Sequence, residues 1–171
     1  MPRYIALLRG VSAMNAKMPE LKAAFESAGF THVKTVLGSG NVVFDADKTD
    51  DATLEAKAEA AMQRELGRSF YTIIRSREEL EQLLAADAHG EHGIPAEAKR
   101  MVSFFRSAPT PRVELPLAEN FASVFLVRGR EAFTAYVPRD NDPVFMRLIE
   151  KAFGKDVTTR TLDTVAKCAK A

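Results

Sequence analysis

The sequence predicts an α+β protein made of two tandem ferredoxin-like sandwich units, each with the order β-α-β-β-α-β and an antiparallel sheet. Three observations support this fold class. Short β-rich runs alternate with one-sided helical segments, and turns that contain glycine join pairs of strands. In addition, both halves of the 171-residue chain follow the order strand, connection, hairpin, helix, strand, helix. No residue-level repeat accompanies this order, so the halves are related by topology.

The first half begins with a short apolar run, 4–8, that predicts a buried strand. The loop 9–17 separates this strand from a helix of about three turns, in which Pro19 suits the first turn and Gly29 ends the apolar face. Two β-rich runs then flank the turn 38–41, whose glycines permit the positive φ angles of a tight hairpin.

The first half continues with a second helix and a fourth strand. Apolar residues recur at helical spacing over 54–66, and the acidic Asp50 lies near the positive N-terminal end of this helix. A β-rich run, 70–74, follows it. Ser76 and Glu79 then have the spacing of a capping box, which predicts a third helix directly after the strand.

The segment 88–96 is predicted to be a solvated linker, because it follows neither the helical nor the strand period and contains two glycines and a proline. We therefore divide the chain into an N-terminal ferredoxin-like unit, 1–90, and a C-terminal ferredoxin-like α+β unit, 91–171. The second unit repeats the order of the first, with an irregular connection that contains three prolines. Its predicted elements are a strand at 100–106, the connection at 107–116, paired strands at 121–127 and 132–137, a helix that Asp142 and Pro143 begin and Gly154 ends, a short strand at 157–159 and a last helix capped by Thr161.

Composition and charge exclude several functional classes. Lys and Arg number 24 against 23 for Asp and Glu, and a net charge of +1 predicts no general attraction to nucleic acid or to an anionic membrane. No apolar stretch approaches the ~20 residues of a membrane span. Cys168 is the only cysteine, so an intrachain disulfide is excluded and a reducing compartment fits best. We expect a soluble, unprocessed, cytoplasmic protein.

Three connections of the first unit are predicted to meet at one end of its sheet: the loop 9–17, the turn 38–41 and the turn 67–69. They would bring together glycines, backbone N–H groups, Arg9 and Arg68. The helix that starts near Pro19 points its N-terminus the same way, which favours an anion. The alternative interpretation is that the glycines only form turns and that Arg9 is an ordinary surface residue.

Four stretches of this chain resemble a bacterial family known as domain of unknown function family 1697. They are RYIALLRG at 3–10, the helix 21–30 with its ending AGF, SGNVVF at 39–44 and VTTRTLDTV at 157–165. The resemblance covers both ends of the chain and the whole first half. It implies an α+β fold with ferredoxin-like parts, and it supplies no reaction.

The chain departs from the family's usual pattern at three places that bear on a site. One is the segment 139–143, RDNDP, which is more acidic than the glycine- and lysine-rich stretch that the family usually shows after the second hairpin. Residues 11–15 lack a glycine pair, and Thr161, Leu162 and Asp163 stand where the family shows Asn, Trp and Asn. If these positions form one anion site, this chain has altered it. The predicted ligand-binding residues are those that keep the family pattern: Arg9, Gly10, Ser39, Gly40, Asn41, Thr159 and Arg160.

Other chemistry has weaker support. Gly38-Ser39-Gly40 lacks the G-x-S-x-G spacing of a hydrolase nucleophile. His89 and His92 lack the helical spacing of a zinc motif and are expected to belong to the solvated linker, so we predict neither a metal nor a cofactor. Cys168 is expected to be a packing residue of the last helix.

We therefore predict a binding module for a small anionic ligand, a phosphate or a carboxylate, near the first-unit loops and the TTR segment 158–160. An enzyme of unknown reaction acting on such a ligand is an alternative, although no pair of base and nucleophile is recognisable. The arginine-rich second half leaves a nucleic-acid or protein interaction module as another alternative, with nucleic acid the less favoured partner because no strand shows a stacking-aromatic pattern. A monomer and a homodimer are both compatible, since open sheets leave edges that can pair.

Overall fold

A computed structural model describes residues 1–95, 97–119, 122–137 and 144–171, except for the side chain of Val144. The fold is mixed α+β with two antiparallel sheets, as the sequence predicts. The chain divides into unit 1, formed by Met1–Gln82 with Val165–Ala171, and unit 2, formed by Leu83–Thr164. The predicted ranges 1–90 and 91–171 differ from these units by residues 83–90 and by the last seven residues.

Unit 1 contains the predicted strands and helices in the predicted order. They are β1 (Arg3–Leu8), α1 (Met18–Ser27), β2 (Thr31–Val36), β3 (Asn41–Asp45), α2 (Asp51–Leu66), β4 (Thr72–Ser76) and α3 (Arg77–Ala86), the last of which continues into unit 2. The strands form a four-stranded antiparallel sheet in the order β2-β3-β1-β4. The first strand of the chain is therefore central, paired to β3 on one side and to β4 on the other.

The core of unit 1 lies between this sheet and the helices α1 and α2. Alternate residues of β1 face the helices, and the ring of Phe44 stacks on Phe30 with 4.2 Å between centroids. Tyr4 and Phe25 complete this aromatic cluster at 5.9 and 5.8 Å from Phe44. On the opposite face of the sheet, Ile5, Leu7 and Ile73 are also fully buried, as an unbroken apolar run such as 4–8 predicts.

Local capping signals determine where the helices of unit 1 begin. The Glu79 N–H donates to Ser76 Oγ at 3.1 Å, and the Ser76 N–H donates to Glu79 Oε1 at 2.9 Å, which confirms the capping box. Asp50 caps α2 by accepting from the Thr53 N–H at 2.7 Å. Gly67 ends α2 in the left-handed conformation.

The last residues of the chain belong to unit 1 because two arginines of that unit bind them. Arg3 Nε donates to the Ala171 carbonyl oxygen at 2.9 Å, and Arg77 donates to the same oxygen. Arg3 also forms an ion pair with Asp45 at 2.9 Å. These contacts link residues far apart in sequence, which local patterns do not reveal.

Unit 2 contains a five-stranded antiparallel sheet in the order β6-β7-β8-β5-β9. Its elements are α4 (Ala88–Glu91), β5 (Lys99–Phe104), β6 (Leu117–Glu119), β7 (Ala122–Arg128), β8 (Glu131–Tyr136), α5 (Val144–Phe153) and β9 (Thr158–Thr161), followed by α6 (Leu162–Lys170), within which the unit boundary falls. Leu148 and Ile149 of α5 pack with Val124 and Ala132 of the sheet. Phe121 and the segment 139–143, used in the sequence predictions, lie outside the described residues.

Unit 2 departs from the predicted β-α-β-β-α-β order. The connection 105–116 contains no helix, which confirms the irregular connection predicted at 107–116, and it leads into the short edge strand β6, which pairs with β7. Pro109, Pro111 and Pro116 lack the N–H groups that a continuing helix needs, which explains the irregular backbone. The tandem form of the ferredoxin-like prediction is therefore not confirmed, whereas the α+β class is.

The prediction of a solvated linker at 88–96 is wrong for its first residues; Ala96 lies outside the described ones. Residues 88–91 form α4, and Ala88 and His89 are buried. His89 Nε2 donates to the Thr134 carbonyl oxygen at 3.1 Å, and its ring packs edge-on against Phe125 and Phe133. An apolar surface and one main-chain acceptor thus convert a glycine-rich segment into part of the core of unit 2.

Among the helices of the described residues, none has the length and apolar character needed to cross a membrane.

Candidate functional site

Three connections of unit 1 meet at one end of its sheet, as predicted. We call residues 9–17, 37–40 and 67–71 the loop end. The Leu8 N–H donates to the Gly40 carbonyl oxygen at 2.8 Å, and the Arg9 N–H donates to the Tyr71 carbonyl oxygen at 2.9 Å. Gly40 has a φ of +88°, and a Cβ at this position would lie 2.9 Å from the side chain of Val11. Only glycine therefore allows the hairpin to approach the first loop this closely.

Asn41 and Ser39, two predicted ligand-binding residues, are bonded to each other within the hairpin. Asn41 is fully buried, and its Nδ2 donates to the Val36 carbonyl oxygen at 2.9 Å and to Ser39 Oγ at 3.0 Å. Ser39 itself is exposed. The amide of Asn41 thus closes the turn, whereas the hydroxyl of Ser39 lies at the surface of the loop end.

The first loop is ordered by an asparagine in the segment that lacks the family's glycine pair. Asn15 Oδ1 accepts from the Ser12 N–H at 2.8 Å, and Asn15 Nδ2 donates to the Gly10 carbonyl oxygen at 2.8 Å. Gly10 has a φ of +81° and is exposed. The altered segment therefore forms a closed polar loop whose shape depends on Asn15.

The loop end is positively charged. It contains Arg9, Lys17 and Arg68 and no Asp or Glu. Arg68 is exposed, its guanidinium carbon lies 5.5 Å from the centroid of the Phe70 ring, and its Nη1 makes a long hydrogen bond, 3.5 Å, to the Asn15 carbonyl oxygen. The ring and the carbonyl thus hold this cation towards the first loop. Arg68 converges here as predicted, although the predicted ligand-binding set omits it because its turn carries no family motif.

The N-terminus of α1 opens on the same loops without a side-chain cap. Lys17 occupies the N-cap position, and its side chain makes no capping hydrogen bond. The first-turn N–H groups of a helix carry a partial positive charge and favour an anion. Glu20, in the first turn, is the nearest acidic residue along the chain and partly offsets this charge.

Thr159 and Arg160, the other predicted ligand-binding residues, belong to β9 of unit 2. Arg160 is buried, and its Nη1 donates to Thr158 Oγ1 at 2.6 Å and to the Thr159 carbonyl oxygen at 3.0 Å. Thr159 Oγ1 lies 2.7 Å from Ser103 Oγ on the neighbouring strand. The predicted set therefore falls into two groups, five residues in unit 1 and two in unit 2.

A cavity of about 570 Å³ lies beside the TTR segment in unit 2. Its walls are residues 97–100 and 161–163, so the three altered positions of the terminal motif line it. The strands β5 and β9 stop pairing at Met101 and Thr161, and the cavity opens where they separate. The charges around the cavity are balanced, because two cations, Lys99 and Arg100, are matched by two carboxylates, Glu97 and Asp163.

The histidines considered as metal ligands are not grouped into a metal site within the part of the chain that the structure describes. Burial lowers the pKa of His89, and the nearby charge of Arg100 lowers it further, against the opposing effects of the Thr134 carbonyl and Asp87. In the described ranges, no group of three or more His, Cys, Asp or Glu residues is placed to hold a metal ion. Cys168 is buried in α6.

Several arginines of unit 2 are held by carboxylates. Arg128 pairs with Glu91 at 3.1 Å, and Arg147 pairs with Glu119 at 3.2 Å. Arg100 lies 3.8 Å from Asp87. These pairs neutralise part of the basic character on which an interaction with nucleic acid would depend.

Comparisons with known proteins agree with the fold. The family described as "Protein of unknown function (DUF1697)" matches residues 1–133. A solved structure, that of the conserved bacterial protein SP0830 from Streptococcus pneumoniae, is similar with a TM-score of 0.73 and 19% identity, over 99% of this chain and 97% of that one. No curated protein matches. The match over most of the chain confirms the resemblance, and this protein belongs to the DUF1697 family.

Proposed function

We propose that the protein binds a small anionic ligand, a phosphate or a carboxylate, at the loop end of unit 1. One observation carries the proposal: three backbone connections that contain Arg9, Lys17 and Arg68 and no acidic residue converge on an uncapped helix N-terminus, where Glu20 in the first turn is the nearest carboxylate along the chain. Cations beside exposed main-chain N–H groups stabilise an anion by charge and by hydrogen bonds together.

The composition of the loop end favours binding over catalysis at this place. Its residues include no histidine, aspartate or glutamate, so its serines have no neighbour of these types within the loop end to act as a general base. Lys17 and Arg68 are exposed and make no ion pair within the described residues, so their charges are available to a ligand. Arg9 is half-buried, and its backbone helps to hold the first loop against Tyr71.

The proposal includes a ferredoxin-like fold for unit 1 and a cytoplasmic location for the protein. The order β1-α1-β2-β3-α2-β4 with the sheet order β2-β3-β1-β4 supports a ferredoxin-like assignment for unit 1. One buried cysteine and no cysteine pair support a cytoplasmic location.

Titration with inorganic phosphate, followed by the backbone amide NMR signals, tests the proposal. The expected result is a saturable shift of the amide signals of residues 10–18, 20 and 67–70, which becomes weaker as the salt concentration increases. Arg68→Ala is expected to weaken phosphate about tenfold, because a hydrogen bond to a charged group contributes about 1.5 kcal/mol or more.

Lys48→Ala is the matched control. Lys48 is an exposed cation in the connection between β3 and α2, at the opposite end of the strand β3 from the hairpin turn. Its loss should leave phosphate affinity unchanged. Equal weakening by Lys48→Ala and Arg68→Ala would show that only net charge matters, and an absence of shifts at the loop end would contradict the proposed site.

A further inference from the structure

We propose that the anion bound at the loop end carries an apolar tail, so that the ligand class is a small amphipathic acid. This inference rests on the proposed function and adds a second recognition element to it. The element is a pair of exposed apolar side chains, Met14 and Leu37, that lie at the loop end together with the three cations.

Leu37 has a backbone conformation that is unusual for its side chain. Its φ is 60°, in the left-handed region that favours glycine or asparagine, and 48% of the residue is exposed. A leucine in this conformation contributes little to the core from such a position. Residues in sparsely populated backbone conformations cluster at active sites and ligand clamps.

Met14 is the most exposed large apolar residue of the described chain. It is 97% exposed, at the tip of the loop that Asn15 closes. Its flexible thioether side chain adapts to apolar ligands of different shape. Two of the five exposed large apolar residues in the described part of the chain thus belong to the loop end, where every charged side chain is a cation.

The two features together define the chemistry of the ligand. Arg68 and Lys17 would bind the acid group, and the side chains of Leu37 and Met14 would cover the tail. The packing of Val11 against Gly40 holds the first loop against the hairpin, which places Met14 and Leu37 on adjoining segments. A cationic surface alone would not need either apolar side chain.

A series of straight-chain acids tests the inference on the full chain, with the same amide NMR signals as the readout. Each methylene group that becomes buried tightens binding about fourfold, so hexanoate should bind at least about tenfold more tightly than acetate. Hexan-1-ol, which has the tail without the charge, should bind far more weakly than hexanoate. The shifts should map to residues 9–17 and 37–40.

Leu37→Asn separates the tail from the acid group. Asparagine tolerates the left-handed conformation, so this variant is expected to fold with an unfolding midpoint at or above that of the parent. It should lose the advantage of hexanoate over acetate while its phosphate affinity changes by less than about twofold. Met146→Gln, an exposed methionine of α5 in unit 2, is the matched control and should keep the full advantage.

Different failures have different meanings. If phosphate and acetate bind at the loop end but hexanoate binds no more tightly, or if Leu37→Asn keeps the dependence on chain length, the apolar tail is refuted and anion binding stands. If no acid and no phosphate shift the loop end, both proposals fail. Cosedimentation with phosphatidylglycerol vesicles, without binding of monomeric hexanoate, would overturn the small-molecule form of the inference.

Discussion

Unit 1 and unit 2 pair their strands in the same order but cover their sheets differently. The order β2-β3-β1-β4 of unit 1 recurs in unit 2 as β7-β8-β5-β9, with β6 added at the edge. In both units a helix connects the last two of these strands along the chain: α2 lies between β3 and β4, and α5 lies between β8 and β9. Between the first two strands, however, unit 1 contains α1, whereas unit 2 contains the irregular connection 105–116 and then β6.

This difference shows that sheet order and helix content have separate causes. Strand order follows from apolar runs joined by glycine turns, which occur in both halves. Helix formation after the first strand depends on local residues: Pro19 lies at the start of α1, where it is tolerated, whereas Pro109 and Pro111 lie within the connection of unit 2. The loop that leads into α1 is also the one that brings cations to the loop end, so the candidate site belongs to unit 1.

The largest expected effect concerns the aromatic cluster, which makes the core of unit 1 differ from that of unit 2. Phe44→Ala should lower the free energy of unfolding by about 3–5 kcal/mol, because it removes the central ring of four. Phe105→Ala in unit 2, where Phe105 contacts Phe153 at 5.0 Å, should have a smaller effect. Urea denaturation measures both, and equal losses would show that the cluster has no special role.

The buried hydroxyl group of Thr134 in unit 2 is expected to lower the free energy of unfolding. Thr134 is fully buried in the central strand β8, and its Oγ1 has no hydrogen-bond partner among the residues that the structure describes. The corresponding strand β3 of unit 1 places Val42, Val43 and Phe44 at its buried centre. Thr134→Val should therefore raise the free energy of unfolding by about 1–3 kcal/mol, the cost of an unsatisfied buried polar group.

Ser103→Ala is the control for Thr134→Val, because it removes a hydroxyl that has a hydrogen-bond partner. The Ser103 hydroxyl is hydrogen-bonded to Thr159, so its removal leaves that partner unsatisfied and should destabilise the protein. In thermal denaturation, the melting temperature should rise in Thr134→Val and fall in Ser103→Ala. A loss of stability in Thr134→Val would contradict this account of β8.

The helices that follow the last strand of each sheet begin differently. Ser76 and Glu79 cap α3 reciprocally, whereas at α6 the Thr161 hydroxyl accepts from the Thr164 N–H at 3.2 Å without a returning carboxylate. Ser76→Ala should cost about 1 kcal/mol of stability, and Thr161→Ala should cost less. Chemical denaturation of the two single variants checks the order, and a larger effect at Thr161 would reverse the comparison.

The smallest expected effect is a change of stability with pH. It comes from His89, a buried histidine that has no counterpart in unit 1. Burial lowers the folded pKa of His89 below its unfolded value, so the unfolded chain binds the proton more readily. This stabilisation is complete above the unfolded pKa of about 6.5 and is lost as the pH falls below it. Between about pH 7 and about pH 5, stability should fall less steeply in His89→Gln than in the parent chain.

His92→Gln is the matched control for the pH dependence. His92 is exposed and lies in the same turn of chain, with its ring 5.0 Å from Phe125. This substitution tests whether the slope of stability against pH depends on the buried histidine or on the loss of either histidine of this segment. If His92→Gln flattens the slope as much as His89→Gln does, burial of His89 is not the cause.

Much of unit 1 could be predicted because its signals are local. The apolar run 4–8, the glycine turn 38–41 and the spacing of Ser76 and Glu79 each act within a few residues, and the structure confirms all three. The meeting of the three loops was predictable as well, since strand order determines which connections share an end of the sheet.

The roles of individual polar residues were less predictable. Asn41 is one of the predicted ligand-binding residues, yet its amide is hydrogen-bonded within the hairpin. Arg68 was predicted to lie near the first loop, but no motif placed it in the ligand-binding set, and its contacts with Phe70 and the Asn15 carbonyl are visible only in the structure. A motif records which residue is present, whereas the partner of a side chain depends on segments distant in sequence.

The sequence by itself determined the α+β class, the strands and helices of unit 1, the hairpins and the positive charge of the loop end, because periodicity, turn residues and charge are properties of short segments. Only the tertiary structure decided that His89 is buried against Phe125 and Phe133, that the edge strand β6 is added to the second sheet, and that the last residues join unit 1 through Arg3 and Arg77. Each of these depends on contacts between residues far apart in the chain, whose free energy no local pattern contains.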